Sequence, residues 1–171
     1  MDYFWIKIDE RLERGLQAPR LTEEEIEGKE PLVKFIKIRE GLDETVFQDY
    51  LTTFTVKKQY SIISDRLKKL MSIYDKRREW VPIVFIDQHE TQHLYWFLSL
   101  DEVDCISGET AYGHGGLVTD LVLDGNKLDK KRSMFLVRAE RQKIVAVNLD
   151  LVESMLRRGF YGFTLKRATV R

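Results

Sequence analysis

The chain has 171 residues, with 28 basic and 28 acidic side chains and a formal net charge of zero. Hydrophobic residues make up 43%, charged residues 33% and aromatics 11%, the profile of a globular protein with a core and not of a disordered chain. The length suits one domain over 1–171, and the balanced charge lacks the basic surplus that phosphate neutralisation needs, so no nucleic-acid partner is expected.

Cys105 is the only cysteine. It excludes a disulfide framework or a cysteine-built zinc site within one chain, and after an apolar run it reads as a small packing residue. The opening MDYFWIKIDE carries acid where a signal peptide needs base. No uninterrupted apolar run approaches about 18 residues. A cytoplasmic protein with no membrane partner is the expectation.

In chain order, DYFWIKI at 2–8 is aromatic and β-branched and predicts a first strand. A polar stretch with Gly15 and Pro19 follows. LTEEEIEG predicts a short helix: Thr22 is its N-cap, Glu25 its capping-box partner and Gly28 its stop. The run Glu23-Glu24-Glu25 suits the positive end of a helix dipole. PLVKFIKI at 31–38 predicts a second strand with Pro31 at its mouth. TVFQDYLTTF, 45–54, reads as helix or loop. VKKQYSIIS, 56–64, ends in β-branched residues and leads into DRLKKLMSIYDK at 65–76. There Ser64 can cap a helix whose Leu67, Leu70, Met71 and Tyr74 form one apolar stripe.

WVPIVFID at 80–87 predicts a strand, and LYWFLSL at 94–100 another apolar run. SGETAYGHGG holds four of the ten glycines and reads as a loop. LVTDLVLD, SMFLVRA and KIVAVN predict three strands, joined by Asp-Gly-Asn and Ala-Glu-Arg turns. LDLVESMLRR at about 149–158 predicts a second amphipathic helix. Asn148 caps it, Val152, Met155 and Leu156 form its stripe, and Gly159 stops it. FYGFTLKR predicts a last strand.

A faint internal echo runs through this order. YSIIS-DRLKKLMSIYDKRRE-WVPIVFI and KIVAVN-LDLVESMLRR-GFYGFTLKR share one layout of strand, capping residue, helix and strand. The expected class is therefore α+β, a largely antiparallel sheet with two main amphipathic helices at about 65–76 and 149–158.

The motif that most needs weighing is QHETQH, 88–93, because His89-Glu90-Thr91-Gln92-His93 spells the H-E-x-x-H of zinc peptidases. That chemistry needs both histidines one turn apart on a helix, a glutamate to activate the bound water, and a third ligand. Glu109 and His114 follow at distances some zinc peptidases tolerate. The flanks, however, are β-branched with Pro82 upstream and apolar on every face downstream, with six polar residues between. This is the pattern strand, turn, strand, although the turn lacks the usual Gly, Pro or Asn. His89 and His93 are expected on or beside a hairpin turn, and no metal ligand is assigned.

Tyr112-Gly113-His114-Gly115-Gly116 could be an anion-binding nest but lacks the partners of a P-loop. The cluster Lys127, Lys130, Lys131 and Arg132, diluted by Asp124 and Asp129, reads as a solvated loop. There is no G-x-S-x-G elbow and no carboxylate pair that reads as catalytic. No catalytic or cofactor-binding residue is assigned, and the chain is expected to be no enzyme.

From about residue 45 to the end, the segments QYSIISDRLKKLM, WVPIVFI, HLYWFLSLDEVDCIS, LVLDGNKL and KIVAVNLDLVESMLRRGFYGFTL form a recognisable series. In this order they resemble the eleventh class of immunity proteins from bacterial polymorphic-toxin systems, a domain formerly of unknown function. Residues 1–40, a strand, helix and strand, lie outside the resemblance. It implies a bacterial cytoplasmic protein that neutralises a partner toxin by direct binding, and it carries no catalytic residue. Exposed aromatics such as Tyr112 are the usual anchor type at such surfaces. The other readings left open are a zinc hydrolase, with His89 and His93 as ligands and Glu90 as base, and a general protein-interaction domain.

Overall fold

The computed structural model describes residues 2–12, 18–38, 47–55, 59–76, 78–129, 131–139 and 142–171, Phe54 by its backbone alone. Gly15, positions 45–46 and 56–58, Lys130, and Glu140 with Arg141 of the expected Ala-Glu-Arg turn lie outside them. The chain runs β1 (Tyr3–Ile8), α1 (Glu23–Glu27), β2 (Leu32–Phe35), β3 (Tyr50–Phe54), β4 (Gln59–Ser64), α2 (Asp65–Tyr74), β5 (Val81–Ile86) and β6 (Gln92–Phe97). It continues through β7 (Glu102–Val103), β8 (Ala111–Tyr112), β9 (Val118–Asp120), β10 (Val122–Leu123), β11 (Met134–Arg138), β12 (Lys143–Asn148), α3 (Leu149–Arg157) and β13 (Phe163–Val170).

The class is α+β and dominated by strands. The expectation of one largely antiparallel sheet needs correction: the strands form a six-stranded sheet, a five-stranded sheet and a two-stranded ribbon. Among the described residues three pairs are parallel, namely β2 with β5, β7 with β11 and β10 with β13. Hairpin neighbours announce themselves in sequence, whereas parallel partners need long connections and leave no local mark. No helix among the described residues is long and apolar enough to cross a membrane.

Two compact units divide the chain: Met1–Lys7, Leu100–Gly159 and Thr164–Arg171 in one, Ile8–Ser99 and Phe160–Phe163 in the other. The first holds the six-stranded sheet, in the order β10-β13-β1-β12-β11-β7. Its core gathers Tyr3, Cys105, Leu121, Leu123, Phe135, Ala146 and Ala168, with the Tyr3 and Phe135 rings edge to face at 5.3 Å.

The Asn148 side chain accepts the Leu151 N–H at 3.0 Å and starts α3; Gly159, at φ +62°, ends it. Leu151, Val152 and Met155 are buried, whereas Leu156, expected in that stripe, is 61% exposed. Leu151 takes its place among the buried residues of the helix. LVTDLVLD is two strands, because fully buried Leu121 separates β9, paired with β8, from β10, paired with β13. The glycine-rich stretch is accordingly more than loop: β8 lies within it, and Gly115 and Gly116, both at φ +76°, make the turn of the ribbon.

The second unit holds the order β2-β5-β6-β4-β3. The capping box of α1 forms as expected, with Glu25 N–H donating to Thr22 Oγ1 at 3.2 Å and Thr22 N–H to Glu25 Oε2 at 2.9 Å. Gly28 stops the helix as expected, its N–H donating to Glu24 O at 3.0 Å, but it stays right-handed at φ −63° and Lys29 takes the left-handed position at φ +51°. The stretch expected as helix or loop contributes a strand, β3, antiparallel to β4. Ser64 Oγ accepts the Leu67 N–H at 3.1 Å and starts α2, whose Leu67, Leu70 and Met71 are buried. Pro82 is tolerated in β5 because pairing with β2 begins only at Ile83.

The internal echo takes physical form as β4-α2-β5 and β12-α3-β13. In each sheet one strand, β6 or β1, stands between the two outer members of the trio.

Candidate partner-binding face

QHETQH forms the turn and the first residues of a β-hairpin, not a helix. β5 and β6 pair antiparallel from Val81 opposite Phe97 to Ile86 opposite Gln92. The turn is organised by Asp87, which is 7% exposed. Its Oδ1 accepts the backbone N–H of His89 at 2.8 Å and of Thr91 at 3.0 Å. Its Oδ2 meets His93 Nε2 at 2.9 Å. The imidazole is stacked on Phe47, with centroids 3.8 Å apart and planes at 19°. The His93 hydrogen bond, aided by those of Thr91 and His89, holds the Asp87 carboxyl below its ordinary range. Glu90 carries the reversal at φ +62°, the role sequence reasoning found no Gly or Asn to fill.

His89 is exposed and His93 is committed to Asp87. Glu109 pairs with Arg171 and His114 opens the ribbon turn. Among the described residues no group of three or more His, Cys, Asp or Glu is placed to hold a metal ion.

A second buried carboxylate, Asp49 at 3% exposure, is also fully used. It accepts Ser64 Oγ–H at 2.6 Å, the Arg66 guanidinium at 2.6 and 3.2 Å, and the Tyr161 N–H at 3.0 Å. Arg66 in turn lies over the Phe160 ring at 4.5 Å. Such closed networks fix structure. Cys105 is buried, and burial pushes its thiol up to about 11, so it is no nucleophile at neutral pH. In the basic cluster, Lys127 lies 4.0 Å from Asp124, and Arg132 reaches Asp101 and Asp129.

What the second unit leaves open is apolar. Its sheet has one covered face, where Ile83 and Phe85 at 0% and Tyr95 at 2% exposure pack with Leu51 and Ile62. On the opposite face the register aligns Val33 with Val84, Phe35 with Ile86 and Val84 with Leu94. Val33 is 57%, Phe35 80% and Leu94 41% exposed. α2 covers the other end of that face, where Trp96 Nε1–H donates to Asp65 at 2.9 Å and Lys68 sits 4.4 Å over the indole. An exposed phenylalanine beside an exposed valine on an outermost strand is the kind of patch that marks an interaction surface. Tyr112, the anchor type suggested by sequence, is 47% exposed on the ribbon of the first unit.

No family model matches this chain, and no curated protein matches it.

Proposed function

We propose that this chain is a non-enzymatic binding protein of the immunity type, which neutralises a partner toxin by occupying it. The observation that carries the reading is the open apolar face of the second unit, with Phe35 at 80% and Val33 at 57% exposure. An interface of this kind draws its energy from a few desolvated aromatic and aliphatic anchors. Two further features support it. The motif series from QYSIIS to GFYGFTL resembles the immunity class. The buried carboxylates Asp49 and Asp87 are spent on structural bonds, which suits a scaffold that works by shape. The zinc-hydrolase reading has less support, because His89 and His93 lie on a hairpin and not one turn apart on a helix.

The test is growth rescue. The product of each gene adjacent to this one is expressed in a sensitive bacterial host, with or without the chain. Wild type restores growth, and Val33→Asp/Phe35→Asp, checked for folding by circular dichroism, does not. Failure of the wild-type chain to rescue, or full rescue by the double variant, would overturn the reading.

A further inference from the structure

Resting on that binding reading, we infer that β2 is a docking edge which takes an extended, acid-tipped apolar segment of another protein as an added antiparallel strand. Among the described residues β2 is the outermost strand of its sheet, paired on one side only, with β5. The Ile36 N–H donates to Ile86 O at 2.8 Å. Backbone groups alternate sides along a strand, so Lys34 and Ile36 address β5 while Val33 and Phe35 turn their N–H and C=O groups to the open edge. The backbone bonds outside the ladders include none to Val33 or Phe35 among the described residues. The two residues with free edge groups are therefore the two with exposed apolar side chains. An added strand satisfies both, by main-chain bonds and by side-chain cover.

A second copy of this chain is the wrong occupant. A two-fold pairing that uses both outward residues sets Val33 against Phe35 and Lys34 against its own twin. The two Lys34 Cα atoms then stand about 4.5 Å apart, and like charges directly opposed disfavour pairing. Lys34 is already matched by Glu25 of its own chain. A lysine on an outermost strand is a known guard against self-pairing.

Charge states the rest. Lys37, two residues beyond Phe35, is exposed, and no ion pair among the described residues includes it. A partner strand that runs antiparallel meets Lys37, Phe35 and Val33 in that order. Its pattern is then acidic, any, apolar, any, apolar.

The probe is the peptide acetyl-Thr-Glu-Thr-Ile-Thr-Ile-Thr-amide, titrated to millimolar concentration into the full chain and followed by backbone-amide NMR. The expected result is shift and slowed exchange at the Val33 and Phe35 amides, with Lys34 and Ile36 unchanged in protection. A peptide with Lys for Glu binds about fivefold more weakly, the scale of an exposed charge pair. Phe35→Pro removes an outward N–H without touching the β5 ladder and abolishes binding, while Phe35→Thr, which keeps the N–H, only weakens it. No perturbation, perturbation away from β2, or unaltered binding by Phe35→Pro would sink the inference. A sedimenting wild-type dimer that Phe35→Pro dissociates would hand the edge to a second copy and sink it equally. None of these outcomes touches growth rescue, so strand addition can fail while the binding reading stands.

Discussion

Asp87 holds His93 by a 2.9 Å bond across the mouth of the β5–β6 hairpin, inside the pentapeptide that imitates a zinc site. The same carboxylate accepts the N–H groups of His89 and Thr91. It therefore ties three of the motif's positions into one hairpin turn, where a zinc peptidase needs them on a helix.

That bond sets a pH dependence. The Asp87 carboxyl is held below its ordinary value, first by His93. A depressed folded-state pKa contributes stability that is present above the unfolded value, about 4, and is lost as pH falls through the folded value. His93→Phe keeps a ring against Phe47 and removes the bond. Thermal melts should show the variant less stable than wild type at neutral pH, with the gap closing as pH drops below about 4. A gap that stays constant from neutral to acid would mean that the carboxyl does not draw on His93.

Glu90 sits at φ +62° with no glycine to ease it. Left-handed backbone costs an ordinary side chain about 1 kcal/mol, and least for asparagine. Glu90→Asn should raise the urea midpoint by the equivalent of about 0.5 kcal/mol, and Glu90→Val should lower it by about 1 kcal/mol. Equal midpoints for the two variants would show that the turn relaxes out of this conformation.

Metal content gives the most direct check on the motif. Elemental analysis of the purified chain should find no stoichiometric zinc, because the motif lies on a hairpin and no group of three or more His, Cys, Asp or Glu among the described residues is placed to hold the ion. One zinc per chain, absent from His89→Ala/His93→Ala, would reverse the assignment and reopen the hydrolase reading.

The sequence announces what is decided locally. Ser64, Asn148 and Thr22 mark helix starts because a capping side chain needs only the next turn of backbone. The β5–β6 hairpin is legible because period and polarity change together at Gln88. β3 is hidden because its residues break the alternation of a half-buried strand: Tyr50, Leu51 and Thr53 are all buried. Thr53 can be buried only because its hydroxyl donates to Pro19 O at 2.7 Å, a partner 34 residues away.

The open apolar face is the hardest to read. PLVKFIKI presents Phe35 as an ordinary strand residue, and only the strand order shows that nothing among the described residues lies over it. Exposure of an apolar side chain is a property of its neighbours, and those come from β5 and β6, some fifty residues on. The helix echo behaves in the opposite way. Each β-helix-β trio is local and legible, but the strand inserted into it, β6 or β1, is supplied from elsewhere in the chain.

Asp49 gives the last prediction. At 3% exposure it joins the start of β3 to the N-cap residue of α2, to Arg66 and to the backbone of Tyr161. Removing a buried carboxylate leaves its donors without a partner, and that loss exceeds the net worth of any one bond. Asp49→Ala should cost about 3 kcal/mol in chemical denaturation, through the bonds that Asp49 makes to the Ser64 hydroxyl, the Tyr161 N–H and Arg66. Arg66→Ala should cost less, about 1 kcal/mol, because the guanidinium is half exposed and its pair is screened by solvent. If the two variants lose equal stability, the ion pair and not the backbone bonds would be what holds this corner. If neither loses any, Asp49 would be a spectator in a corner already fixed by packing.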